Sequence, residues 1–415
     1  MKIAGIVAEY NPFHNGHQYH IEETRIQTGA DYVIAVMSGD FVQRGAPAFL
    51  DKYDRAYAAL AGGCDLVLEL PVIYSSASAE FFAAGAVHLL HGLGVCDYLS
   101  FGSEAGNLES FLPIAEILAD EPEEYQQKLR SFLKSGLSFP AAREKALEEY
   151  LLNTSNFSRY RSLSAFLKGS NNILALEYLK ALKNTGSDIM PVTIRRRNAS
   201  YHDKELRGHI SSASAIRHHL LGHADINNIQ ASVPETTFSF IQQQQNRNGF
   251  PDLDHLTPYL HSALIENRDP SLYLDWDEDL ANRLYGLPWA SMSFTQIADK
   301  LKSRNVTHSR IHRALLHFIL RLEKEPFLTQ FDQNPVPYAR ILGFRRNSST
   351  LLKEISRKGT VPIITKPASI HGCLNQANSW VWNTDLAASR LYQSIQFQYF
   401  HQILPSAYER SPIIF

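Results

Sequence analysis

Residues 5–17 read Gly5-Ile6-Val7-Ala8-Glu9-Tyr10-Asn11-Pro12-Phe13-His14-Asn15-Gly16-His17. A short apolar run, begun at Ile3 and stopped by Glu9, reads as a buried strand, Pro12 as part of a loop, and His-x-Gly-His as the opening of a helix. The run is too short for a signal-peptide core, and no cleavage site follows it. With 17 His and 22 Gly in 415 residues, a chance His-x-Gly-His is expected ~0.04 times in the chain. Outward from it, the strand-like runs Tyr32 to Met37, Leu66 to Leu70 and Tyr98 to Phe101 alternate with helix-compatible segments at about 16–28, 51–62 and 77–92. This alternation predicts βαβ units and a parallel sheet covered on both faces. Right-handed crossovers then gather the loops after the strands at one sheet edge, where a ligand binds.

From about 110 to 185 the apolar spacing turns helical, at 112–118, 125–133, 141–152 and 173–182, before Met190-Pro191-Val192-Thr193-Ile194 returns as a strand. Asn227, Asn228 and Pro234 interrupt the pattern and mark a boundary near 225–235. Beyond it, helices are expected at 253–266, 294–304, 308–322 and 349–357, and short strands at 338–344 and 361–365. The expected division is 1–230, a sheet-based unit with a helical insertion at about 110–185, and 231–415, a mostly helical α+β unit.

Composition bounds the classes. Lys and Arg number 40 against 42 Asp and Glu, for a net charge of −2, and 44% of residues are hydrophobic. That excludes disorder as the main state, and no apolar stretch is long enough for a membrane helix. Cys64, Cys96 and Cys373 are odd in number and form no CxxC pair, which fits a reducing cytoplasm.

The chemistry expected of the motif is phosphate binding. A helix N-terminus offers unsatisfied N–H groups and partial positive charge, Gly16 lets a nucleotide approach bare backbone, and His14 and His17 share one side of the first turn. Two imidazoles there can stabilise charge developing on a departing pyrophosphate. His20 points about 120° away from His14, so one ion does not easily collect all three, and no metal site is expected. The chain has no Gly-Lys dipeptide and hence no Walker A loop. For four segments two readings stand. Gly102 is a nucleotide-facing or a turn glycine, and Arg195-Arg196-Arg197 a triphosphate clamp or a solvated cluster. Ser211-Ser212-Ala213-Ser214 with Arg217 is a phosphate site or an ordinary cap. The basic stretches after 300 and around 345 are RNA contacts or solvated faces.

These residues resemble the nucleotidylyltransferase superfamily, whose signature is His-x-Gly-His after the first strand of a Rossmann-like sheet. More narrowly, Gly5 to His17 is similar to the start of the tRNA(Met) cytidine acetate ligase family. Met37 to Gly45, Phe101-Gly102-Ser103-Glu104, Asn171-Asn172-Ile173-Leu174, Tyr201-His202-Asp203 and Tyr338 to Phe344 follow in that family's order. The resemblance implies an α/β fold, a Rossmann-like parallel-sheet nucleotidylyltransferase domain followed by the α+β unit.

It further implies a ligase that uses ATP, with Mg²⁺, to activate acetate and acetylate N4 of the wobble cytidine of elongator tRNA(Met). His14, His17 and Arg217 would be catalytic. ATP would be held by Val7, Ala8, Glu9, Tyr10, Asn11, Pro12, Phe13, His14, Asn15, Gly16, His17, Gln18, Tyr19 and His20, with Gly102, Asn171, Arg196 and Arg197. Lys300, Lys302, Arg304, Arg310, Arg313, Arg345 and Arg346 would contact tRNA, and Asp40, Gln43 and Arg44 would face the acetate or tRNA side of the cleft. Two rivals are weighed against this: a nucleotidylyltransferase of cofactor biosynthesis, and a tRNA-binding protein with a regulatory ATP site.

Overall fold

The computed structural model describes residues 1–152, 163–196, 205, 206, 208–222, 224–372, 374 and 376–415. Arg197, the 201–203 segment and Cys373 lie outside the described residues. Strands β1 (Ile3–Ala8), β2 (Tyr32–Ser38), β3 (Leu66–Leu70), β4 (Tyr98–Ser103) and β5 (Met190–Arg195) run parallel in the order β5-β4-β1-β2-β3. The runs are almost wholly apolar because both faces are covered. On one face Ile6, Val33, Ala35 and Val67 meet helix α1 (Asn15–Thr28) and the helix Lys52–Ala61. On the other, Ile3, Ile34, Val36 and Leu68 meet the helices Ala79–Gly92 and Ser170–Thr185.

Chain order places the functional edge. β2 and β3 build outward from β1 on one side, then the chain returns to lay β4 and β5 on the other, so Ile6 lies opposite both Ala35 and Ser100. The carboxyl ends of β1 and β4 therefore flank the topological switch point, the crevice where ligands bind in open α/β sheets.

The sheet continues past residue 230. β6 (Ala339–Phe344) joins β3 antiparallel, with Leu68 opposite Ile341, and β7 (Ile363–Ile364) and β8 (Ile413–Ile414) pair with β6. The division expected at about 230 assigns these strands to the second unit; here they extend the sheet of the first. Buried ions fasten the two parts. Lys52 Nζ lies 2.9 Å from Asp40, 2.7 Å from Glu69 and 2.9 Å from the Ser389 hydroxyl, and Arg340 reaches Glu69 at 3.1 Å. All four charged side chains are buried.

The 25-residue helix Gln376–Phe400 has no counterpart in the sequence reading. Its buried positions include Thr384, Asp385, Ser389 and Gln396, so it lacks the clean apolar stripe that marks a helix. Asp385 accepts the Val72 N–H at 2.6 Å and the Tyr338 hydroxyl proton. No helix among the described residues is long and apolar enough to cross a membrane.

Candidate active site

A cavity of about 670 Å³ opens at the switch point. Its lining joins the end of β1, the start of α1, Gly102, the first turn of the helix Ser170–Thr185, Arg195, Arg196 and residues 210–214 with Arg217. Gln43, Arg44, Asp254, Thr295, Ser309 and Arg313 close the far side. Of the fourteen residues from Val7 to His20, ten line it; Pro12, Phe13, Asn15 and Gln18 do not. Phe13 is core, Gln18 bonds Glu22 on the helix surface, and Asn15 ties α1 to the carbonyls of His209 and Ala231, each at 2.9 Å.

The motif builds its own geometry. His14 is the N-cap of α1, and its Nδ1 accepts the Gly16 N–H at 3.1 Å. His17 Nδ1 accepts the His14 N–H at 3.2 Å, a reciprocal capping box made by two imidazoles. The rings stack with centroids 3.6 Å apart, and Tyr10 meets the His17 ring edge-on at 4.9 Å. The expectation that Gly16 exists for nucleotide approach has a different physical basis here. A Cβ at Gly16 would stand 2.9 Å from His14 Cε1 and 3.0 Å from Nδ1, so glycine is required by the ring itself. The Gly16 N–H, moreover, is already taken.

Burial, reinforced by the cations of Arg196 and Arg217, drives the His14 imidazolium down to about 3. Burial, with His14 and Arg196, pushes His17 well below its usual range. His20, hydrogen-bonded to the Ser100 hydroxyl at 3.1 Å, falls to about 4 through burial and Arg196. All three are neutral at pH 7. Because Nδ1 accepts in His14 and His17, both carry the proton on Nε2.

Across the cleft, Arg196 Nη1 donates to Asn171 Oδ1 at 3.3 Å. The helical spacing at 173–182 leaves Asn171 and Asn172 just before their helix. Instead the helix starts at Ser170, with Gly169 as N-cap, and the Glu104 carboxylate accepts the N–H groups of Asn171 (3.3 Å) and Asn172 (2.8 Å) and the Asn171 amide (2.7 Å). Glu104 supplies the negative charge a helix N-terminus favours, from a segment 67 residues away. Gly102 has its nearest neighbour, Arg196 Cγ, 3.4 Å from where a Cβ would stand.

The 211–217 segment caps a helix and also lines the cleft. Ser212 caps its helix by accepting the Ala215 N–H at 3.0 Å, while Ser211, Ser212, Ser214 and Arg217 line the cleft. Arg217 donates to the Asn11 carbonyl, and the Asn11 side chain holds the Phe49 N–H at 2.7 Å.

Other expected residues separate. Gln43 and Arg44 reach the cleft, but Asp40 does not: it is spent on Lys52 and Ser389. Lys300, Lys302, Arg304 and Arg346 are exposed. Arg310 pairs with Asp277 at 2.8 Å, Arg313 grips Asp275 at 2.8 and 3.1 Å, and Arg345 donates twice to the Leu60 carbonyl. Arg340 is core, its guanidinium 5.2 Å from the centroid of buried Trp382.

Comparison with known proteins agrees with this geometry. The HIGH Nucleotidyl Transferase family model matches residues 1–404. The tRNA(Met) cytidine acetate ligase of Clostridium tetani is 41% identical over 378 residues, 90% of this chain and 93% of that protein. The enzyme of the same name from Thermoanaerobacter sp. (strain X514) is 41% identical over 394 residues, 94% of this chain and 95% of that protein. Thermotoga maritima TmcAL in its apo form superposes with a TM-score of 0.93 at 34% identity, over 100% of this chain and 99% of that one. The same protein bound with alpha-thio ATP gives 0.90 at 32% identity, with the same coverage of both chains. The chain belongs to the HIGH nucleotidyl transferases and, within them, to the family of the tRNA(Met) cytidine acetate ligases.

Proposed function

We propose that this protein is an ATP-dependent ligase that activates acetate as acetyl-adenylate and transfers the acetyl group to N4 of the wobble cytidine of elongator tRNA(Met), in the cytoplasm. The observation that carries the reading is the facing of two neutral, stacked imidazoles by Arg196 and Arg217 across a switch-point cleft. An acetate oxygen attacks the α-phosphorus of ATP, and the bond to pyrophosphate breaks with its electron pair on the leaving group. Such a displacement asks the protein for positioning and charge stabilisation. The Nε2–H groups of His14 and His17 donate to phosphate oxygens, Arg217 and the 211–214 turn take the outer phosphates, and Arg196 with Asn171 and Gly102 holds the nucleoside side. Among the described residues no group of three His, Cys, Asp or Glu is placed to hold a metal ion. A Mg²⁺ ion entering with ATP would be held chiefly by phosphate oxygens and water. In the second step the cytidine amine attacks the acetyl carbonyl and AMP leaves. The exposed Lys300, Lys302 and Arg304 are suited to the tRNA backbone.

Exchange of labelled pyrophosphate into ATP tests the first step. Exchange that requires acetate and is lost in His17→Ala is the expected result; exchange indifferent to acetate refutes the reading.

A further inference from the structure

Glu9 stands in the segment expected to hold ATP, yet its surroundings suit a different molecule. Side chains alternate along β1: Ile6 and Ala8 pack on the α1 face, Val7 on the face of Phe82, Phe101 and Tyr178. Continuing that alternation turns Glu9 away from the histidines. Its Oε1 accepts the Gln43 N–H at 2.9 Å, its other oxygen takes no hydrogen bond among the described residues, and the side chain lines the cleft. A carboxylate beside a triphosphate is repelled, whereas one beside an amine is attracted.

Tyr178 is the second observation. It is 2% exposed and lines the same cavity. Its hydroxyl has no hydrogen-bond partner among the described residues, a situation that a native protein rarely leaves unanswered. Side chains on a helix lean toward its N-terminus, and the first turn of this helix, at Ser170 and Asn171, is cleft wall. Burial raises the Tyr178 hydroxyl far above its ordinary range, and the nearby Glu9 charge raises it further. The hydroxyl thus keeps its proton and can donate it into a hydrogen bond, beside a carboxylate.

We propose that Glu9 and Tyr178 form the subsite that reads and activates the 4-aminopyrimidine acceptor, Glu9 accepting from the exocyclic amine and Tyr178 donating to ring N3. A 4-oxo pyrimidine presents an acceptor at position 4 and would set that oxygen against the Glu9 carboxylate. In the transfer step the N4–carbonyl carbon bond forms, the acyl carbon–oxygen bond breaks with its electron pair on AMP, and the N4 proton passes to the free Glu9 oxygen. The inference rests on the ligase reading, and the following experiment separates the two.

Acetate-dependent pyrophosphate exchange and transfer of labelled acetyl to tRNA(Met) are measured for wild type, Glu9→Gln and Tyr178→Phe. Glutamine keeps the Gln43 contact and cannot take a proton. Exchange within about threefold of wild type with transfer down about 100-fold is expected for Glu9→Gln, the scale of a lost general base. Tyr178→Phe keeps exchange and raises the KM for tRNA about tenfold, the scale of one buried hydrogen bond. Transfer at the wild-type rate in Glu9→Gln, or exchange lost as fully as transfer, overturns the assignment. Absence of acetate-dependent exchange in wild type instead refutes the ligase reading itself.

Discussion

Replacing His14 by asparagine tests whether the first imidazole is held neutral. Its folded-state value is about 3, set by burial and then by Arg196 and Arg217, against an ordinary 6.5. The unfolded chain therefore takes up a proton first, so the stability is complete above pH 6.5 and is lost as pH falls toward 3. At 1.36 kcal/mol per unit, the 1.5 units between 6.5 and 5.0 cost about 2 kcal/mol. Asparagine does not titrate and still offers an oxygen to the Gly16 N–H. Urea unfolding at pH 7.5 and 5.0 should show a wild-type loss of stability that shrinks by about 2 kcal/mol in His14→Asn. His17 and His20 are present in both proteins and largely cancel. An identical loss in the two proteins would mean that His14 is exposed or protonated in the fold, and the assignment of a neutral imidazole would fall with it.

Three further outcomes follow from the same structure. Gly16→Ala places a Cβ 2.9 Å from the His14 ring; the overpacking should cost about 1–3 kcal/mol in urea unfolding and, by displacing the ring, weaken ATP binding in calorimetric titration. Lys52→Met leaves Asp40 and Glu69 buried with one cation fewer, and urea unfolding should register about 3–5 kcal/mol of lost stability. Neutralising Lys302 and Arg304 together should lower tRNA affinity and reduce the slope of log K against log salt by roughly 0.7–0.9 per lost phosphate contact, read by filter binding; an unchanged slope would remove them from the interface.

The parallel sheet and its ligand edge were legible because β1 to β5 are locally apolar runs whose spacing carries the topology. The stacking of His14 on His17 follows from three residues of helical spacing and a glycine between them. What escaped depends on pairs far apart in the chain. Asp40 and Arg340 look like surface charges until Lys52 and Glu69 are seen between them, and nothing local announces an ion pair spanning 271 residues from Glu69 to Arg340. The capping of the helix Ser170–Thr185 by Glu104 was hidden for the same reason, although Glu104 lies two residues after Gly102. The helix Gln376–Phe400 was missed because its buried side is partly polar, spending Asp385 and Ser389 on partners in the sheet layer. In the basic stretches, charge alone does not separate Lys302, which is exposed, from Arg313 and Arg345, which serve Asp275 and Leu60.

The most direct measurement is the fate of labelled acetate incubated with the protein, ATP and elongator tRNA(Met). The expected result is label on the wobble cytidine, one acetyl for each AMP and each pyrophosphate formed, and none without ATP. AMP formation with no label on the tRNA, or pyrophosphate release driven by a phosphorylated acceptor in place of acetate, would contradict it.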